Sequence, residues 1–135
     1  MVRQPQRAAR GSRLIAADTS SLRRYWAGDD GSDVRLVDAA LDREDLVIAP
    51  IVITELLSDP GSQTILPFVL ALRMMNITPG YWFRAGELRA RTKAAGHKAG
   101  LADTLIAQSC IDHDVPLITH DRDFRHFIKA GLKLL

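Results

Sequence analysis

The sequence predicts an α/β domain, with a central, mainly parallel sheet of short strands flanked by helices. Apolar runs of strand length alternate with longer patterns of helical period, the signature of a parallel sheet covered by helices. Pro60-Gly61 and Pro79-Gly80 fall between such runs and mark turns. The 135 residues, 47% hydrophobic and 25% charged, suffice for one cored domain and fall short of two ordinary ones.

In chain order, "MVRQPQRAARGSR" (1 to 13) holds four arginines and no acid, and no apolar stretch follows that would serve as a signal-peptide core. It is expected to be a disordered basic tail ahead of a domain over 14–135. Strands are expected at "RLIAA" (13 to 17), "LVIA" (46 to 49), "MMNIT" (74 to 78), "PLIT" (116 to 119) and, as a short last one, "LKLL" (132 to 135). Helices fill the gaps at 19–27, 33–43, 50–58, 63–73, 82–96, 101–114 and 122–129. Pro50 suits a first helical turn.

Charge and composition narrow the function classes. The net charge of +2 divides unevenly: the first 13 residues take four of 18 bases and none of 16 acids, so 14–135 carries 14 minus 16, or −2. A domain with that balance holds nucleic acid only through something more local than bulk attraction to phosphate. The longest apolar runs, such as "LVIAPIVI" (46 to 53), are far shorter than the roughly 20 residues of a membrane-spanning helix, so no membrane partner is expected. The lone Cys110, inside an apolar pattern, excludes a disulfide framework and suits a reducing cytoplasm.

Four acids then stand out. Asp18 ends the first strand and Asp121 the fourth, and the carboxyl ends of strands in an open α/β sheet are where sites form. Glu55 is the only charge in "PIVITEL" and lies over Ile51 and Val52 on a helix. Asp103, in the first turn of "LADTLIAQSCI", aligns with Ile106, Ala107 and Cys110, while Thr104, Gln108 and Asp112 form the polar row. Each acid also has a plainer account. Asp18 and Asp121 suit helix N-caps, Asp103 suits its own helix dipole, and Glu55 suits pairing with an arginine. Capping alone does not require two further acids on apolar faces. Were all four to converge, repulsion would raise their pKa values unless a cation sat among them. Carboxylate oxygens with no histidine or cysteine at ligand spacing favour Mg²⁺ or Mn²⁺ over zinc, and such ions serve phosphodiester hydrolysis.

"LIAADTSSL", the helical "ITELL", "GLADTLIAQ" and "PLITHDRDF" resemble, in order and spacing, the PIN-domain ribonucleases, and the size and four-acid layout resemble the VapC toxins of bacterial toxin-antitoxin pairs. The resemblance covers 14–135. It implies a PIN-like three-layer sandwich and a metal-dependent endoribonuclease acting as the toxin of a toxin-antitoxin pair. It also implies Mg²⁺ (or Mn²⁺) as cofactor, an RNA substrate, a small antitoxin partner and a homodimer. Carried over by position, Asp18, Asp103 and Asp121 would hold the metal, and Glu55 would complete the catalytic set by acting through a water of the ion. Thr19 and Thr119 would steady the cage, although Thr119 is as simply read as a strand residue. Asp123, in the turn after Asp121, is a rival for the fourth acid, and its position also suits the helix dipole.

For RNA, "RTKAAGHKAG" (91 to 100) suggests a flexible basic loop beside Asp103, with Lys93 and Lys98 as contacts, and reads at least as well as a solvated helix end with lysines near the C-terminal dipole. Arg122 and Arg125 flank Asp121, and His120 is a weaker candidate. "GYWF" (80 to 83) and Tyr25-Trp26 suit core or interface as well as base stacking. A haloacid-dehalogenase phosphatase would want a second acid two residues after Asp18, where Ser20 stands; a receiver domain would want an acidic pair after strand one. The serious alternatives are a PIN-like module that binds RNA or protein without cleaving, which the intact four-acid set argues against, and a housekeeping PIN nuclease without an antitoxin.

Overall fold

The computed structural model describes residues 13–135, so all of the expected basic tail except Arg13 lies outside the described residues. Four strands, β1 (Ile15–Ala17), β2 (Leu46–Ile48), β3 (Arg73–Met74) and β4 (Leu117–Ile118), form one sheet in the order β3-β2-β1-β4. All three pairings are parallel, with Ala16 opposite both Val47 and Leu117. The inner strands are short and almost wholly buried, as parallel strands covered on both faces must be.

Six α-helices flank the sheet: α1 (Thr19–Trp26), α2 (Ser32–Asp42), α3 (Pro50–Leu57), α4 (Leu66–Ala71), α5 (Tyr81–Ala94) and α6 (Leu101–His113). Their apolar faces close on the strands through Leu22, Val37, Val52, Leu56, Leu88 and Ile106, which belong to one buried cluster with Val47, Ile48, Leu117 and Ile118. Pro50 opens α3 as expected, at a position whose N–H has no intrahelical partner.

The expected boundaries need four corrections. Strand three was expected at 74 to 78, but only Arg73–Met74 pair with β2, and Met75 N adds one bond to Ile48 O. Beyond it the chain turns to the end of α6 instead: Thr78 donates to Asp112, and the His113 ring bonds the Asn76 carbonyl. The expected last strand is a single parallel bridge, Leu117 to Leu134. The span expected as a helix at 63 to 73 begins as a 3-10 helix, Ser62–Ile65, before α4. The terminal helix is likewise a 3-10 helix, Arg122–Ala130, which places Phe124 and Phe127 one above the other because its side chains repeat every three residues. Both rings are fully buried and meet edge to face.

The row expected to be polar on α6 is a buried seam. Thr104 and Gln108 are buried and Asp112 is half-buried where α6 meets α5; Arg84 clamps Asp112 with two bonds and Gln108 adds a third. Tyr81, the buried member of "GYWF", donates to Leu105 O at 2.7 Å, while Trp82 and Phe83 are exposed. Tyr25 and Trp26 are half-buried and pack on the core.

Because Phe124 fixes the 3-10 helix to the core, Phe124→Ala should cost about 3–5 kcal/mol. A urea unfolding midpoint close to that of the native chain would show that the segment is held by its hydrogen bonds instead.

Candidate active site

The strand order locates the site. From β1 the chain builds outward through β2 and β3, then crosses back to place β4 on the other side of β1. The connections therefore diverge between β1 and β4, and the crevice at the carboxyl ends of these two strands is where open α/β sheets bind ligands. Asp18 follows β1, and Thr119 and Asp121 follow β4, so all three lie on this crevice.

Asp18 is a cap and a site residue at once. Its carboxylate accepts from Ser21 N at 2.9 Å as the N-cap of α1, from the Ser20 hydroxyl shared between both oxygens at 2.9 Å, and from Thr119 Oγ1 at 2.6 Å. The side chain is almost fully buried. Burial pushes its pKa above the ordinary carboxylate range, and the Thr119, Ser21 and Ser20 bonds pull the other way. Directly beneath, the buried Cys110 thiol is pushed up to about 12 by its own burial and by the charge on Asp18, which leaves it an inert core residue.

Thr119 is more than the strand residue it resembled. Its hydroxyl donates to Asp18 and accepts from Asp121 N at 2.9 Å, so one side chain bridges the ends of β1 and β4 across 101 positions of sequence. Asp121 Oδ1 in turn accepts from Asp123 N and caps the 3-10 helix. Thr19 donates its hydroxyl to Glu55 Oε1, fastening α1 to α3. The expected arginine partner of Glu55 is absent: among the described residues that carboxylate forms no ion pair, and Arg23 instead takes the Glu55 carbonyl at 2.8 Å and the Asp59 carboxylate at 3.0 Å.

Asp103 registers the convergence. Its pKa is pushed up to about 6, first by burial and then by the charges of Asp121, Asp18, Glu55 and Asp123, in that order. All four expected acids therefore share one electrostatic neighbourhood, with Asp123 contributing least. Among the described residues no three His, Cys, Asp or Glu side chains are drawn together tightly enough to enclose an ion by themselves. An all-oxygen set this open fits Mg²⁺, which keeps several of its waters and takes one or two carboxylates directly; it does not fit zinc, which wants nitrogen or sulfur in a closed tetrahedron.

A family model described as the PIN domain matches residues 15–129. The chain belongs to the PIN domain family. PIN domains are nucleases that generally use divalent metal ions. This PIN domain is similar in fold to a chain of VapBC2 from Rickettsia felis bound to a DNA fragment from its promoter, at a TM-score of 0.67 and 20% identity, covering 90% of this chain and 97% of that one. A chain of the DNA-bound VapBC from Salmonella typhimurium superposes with a TM-score of 0.72 at 17% identity, over 90% and 96% of the two chains. FitAcB from Neisseria gonorrhoeae gives 0.67 at 17%, again over 90% and 96%. No curated protein matches the chain.

Sequence reading missed the outer support of the PIN site. Asp33 is buried between α1 and α2, where it accepts from Ser21 Oγ at 3.0 Å and from Arg24 through Nε and Nη2. Burial opposes its charge, but the Arg24 and Ser21 bonds hold its pKa below the usual carboxylate value. His120 is exposed, with Nδ1 3.9 Å from the same carboxylate. The run of hydroxyls in "DTSS" was the available signal, since serines just after an N-cap have few other duties. Of the expected RNA contacts, Lys93 ends α5 rather than lying in a loop, Lys98 lies in the segment before α6, and Arg122 opens the 3-10 helix; all three are exposed.

The Asp103 shift has a sign. A carboxyl whose pKa is higher folded than unfolded holds its proton more firmly in the native state, so it costs stability as pH rises from about 4 through about 6. In chelator, the native chain should lose stability across that window, and Asp103→Asn should flatten the loss, by less than about 3 kcal/mol given partial exposure. Urea titrations at several pH values check this; an unchanged pH profile in the variant would place the strain elsewhere.

Proposed function

We infer that the protein is a metal-dependent endoribonuclease acting as the toxin of a toxin-antitoxin pair, with Mg²⁺ or Mn²⁺ as its cofactor. The observation that carries this reading is the field on Asp103, where Asp121, Asp18, Glu55 and Asp123 all act on one half-buried carboxyl. The match of the PIN model to 15–129 and the likeness to chains from VapBC complexes support it. That likeness also motivates a small antitoxin partner, and the resemblance to VapC toxins implies a homodimer.

In this reading Asp18, Asp103 and Asp121 hold the ion. When bound, the ion neutralises charge growing on a phosphodiester and makes a nucleophile of water near neutral pH. Asp18 presents its oxygens at a fixed angle because Ser21 N, Ser20 Oγ and Thr119 Oγ1 hold them, and those oxygens would serve as ligands to the ion. Thr119 sets the separation of Asp18 and Asp121. Glu55, oriented by Thr19, is the free carboxylate positioned to accept a proton from the attacking water.

Cleavage of a labelled RNA should require Mg²⁺ or Mn²⁺ and stop in chelator; full activity in chelator would sink the metal mechanism. Expression without a partner should arrest growth, and harmless accumulation of active protein would count against the toxin assignment. Asp121→Asn should abolish most cleavage at little cost in stability. Asp123→Asn should keep more of the rate and lose about 0.3–1 kcal/mol from the helix start. If Asp123→Asn is the inactive one, the two roles exchange.

A further inference from the structure

We propose that the cleft between the last turn of α5 and the terminal 3-10 helix is a second subsite, a cationic pocket that grips backbone phosphates of the RNA strand on one side of the cleaved bond. The inference rests on the ribonuclease reading above. Arg91, His97, Arg125, His126 and Lys129 line the pocket over an apolar floor, and no acid lines it. Residues 13–135 hold 15 Lys and Arg, the chain's 18 less Arg3, Arg7 and Arg10. Six of them form ion pairs: Arg23, Arg24, Arg35, Arg43, Arg84 and Lys133. Of the nine that form none among the described residues, six lie in 91–98 and 122–129, the two segments that meet at this pocket. The α5 dipole accounts for Arg91 and Lys93 in its last turn, but it does not reach Arg125 or Lys129 on the other wall. In a body of net charge −2, this is a local positive field of the kind that holds a polyanion.

The pocket is also built and correctly placed. The His97 and His126 rings stack at 4.4 Å and 15°, and His126 Nδ1 donates to Lys98 O at 3.2 Å, which ties the segment leading to Asp103 onto the 3-10 helix. That 3-10 helix starts at the Asp121 cap. At about 2.0 Å per residue, Arg125 stands roughly 8 Å and Lys129 roughly 16 Å beyond Asp121. Arg125 and Lys129, four apart on a three-residue repeat, enter the pocket from adjoining sides of the helix, within reach of the phosphates that follow one held at the acids. The contacts are to backbone, so they position RNA and do not read its bases.

The test is binding of a fluorescent oligouridylate in chelator, where nothing is cleaved, across roughly 50 to 200 mM salt. Arg91→Gln, Arg125→Gln and Lys129→Gln should each flatten the slope of log affinity against log salt by about 0.7, and the triple variant by about 2. All three residues are exposed, so the variants should stay folded, with melting lowered only slightly where Arg91→Gln gives up its contact with the α5 dipole. A folded triple variant with the native slope overturns the proposal. So does a triple variant that binds RNA as before but loses an oligoglutamate peptide bound by the native chain, because the pocket would then serve an acidic protein. Native salt-dependent binding with no metal-dependent cleavage would instead overturn the ribonuclease reading and leave the phosphate pocket standing.

Discussion

The rest of the structure is arranged around a crowd of carboxylates at the carboxyl edge of a four-stranded parallel sheet. Asp103, half-buried, feels four other acids, and Asp18 is almost wholly removed from water. Such a crowd opposes folding, since burial and like charge both favour the neutral acid. It persists because the fold gives these carboxylates directed donors: backbone N–H at two caps, and the hydroxyls of Thr19, Ser20 and Thr119. Neutral donors orient the oxygens without cancelling their charge. An arginine in their place would quench the field, which is why the pairing seen at Asp33 with Arg24 stands one layer further out.

Several acids away from the site are paired, although among the described residues Asp38, Asp42, Glu44 and Glu87 form no ion pair either. The pairs that join neighbouring elements include Asp112 with Arg84, Asp59 with Arg23, and Asp33 with Arg24. The acids of the site form no ion pair among the described residues, and neither do the bases along 91–98 and 122–129. Charges of both signs are thus held apart on neighbouring elements, acids at the sheet edge and bases along the helix that leaves it. For a protein whose folded part is slightly acidic, this separation leaves a local field of each sign on neighbouring elements.

The core explains why the edge stays put. β1 and β4 are three and two residues long, too short to be rigid alone. They are fixed by Phe124 and Phe127 at one end and by the α5–α6 seam, where Tyr81 and Arg84 bond α6 and its Asp112. A displacement in either place moves Asp103 or Asp121 relative to Asp18. The positioning of the site therefore depends on side chains remote from it.

The sequence by itself determined the α/β class and the order of the elements and singled out four acids as candidates, because apolar periodicity is local and a strand-end acid or a charge on an apolar helical row is visible within a few residues. It also marked Asp121 and Asp18 as caps, a local property that the structure bears out. Only the tertiary structure decided what those acids touch. Thr119 was indistinguishable from an ordinary strand threonine until β4 was laid beside β1, and Asp33 was one acid among many until α2 folded onto α1. The polar row of α6 was legible as polar, but the sequence does not say that Arg84 stands opposite it and buries it in a seam. The fading of strand three and the tightening of the last helix were likewise beyond local pattern. Each depends on partners at long separation, the end of α6 for Asn76 and Thr78 and the core for Phe124 and Phe127.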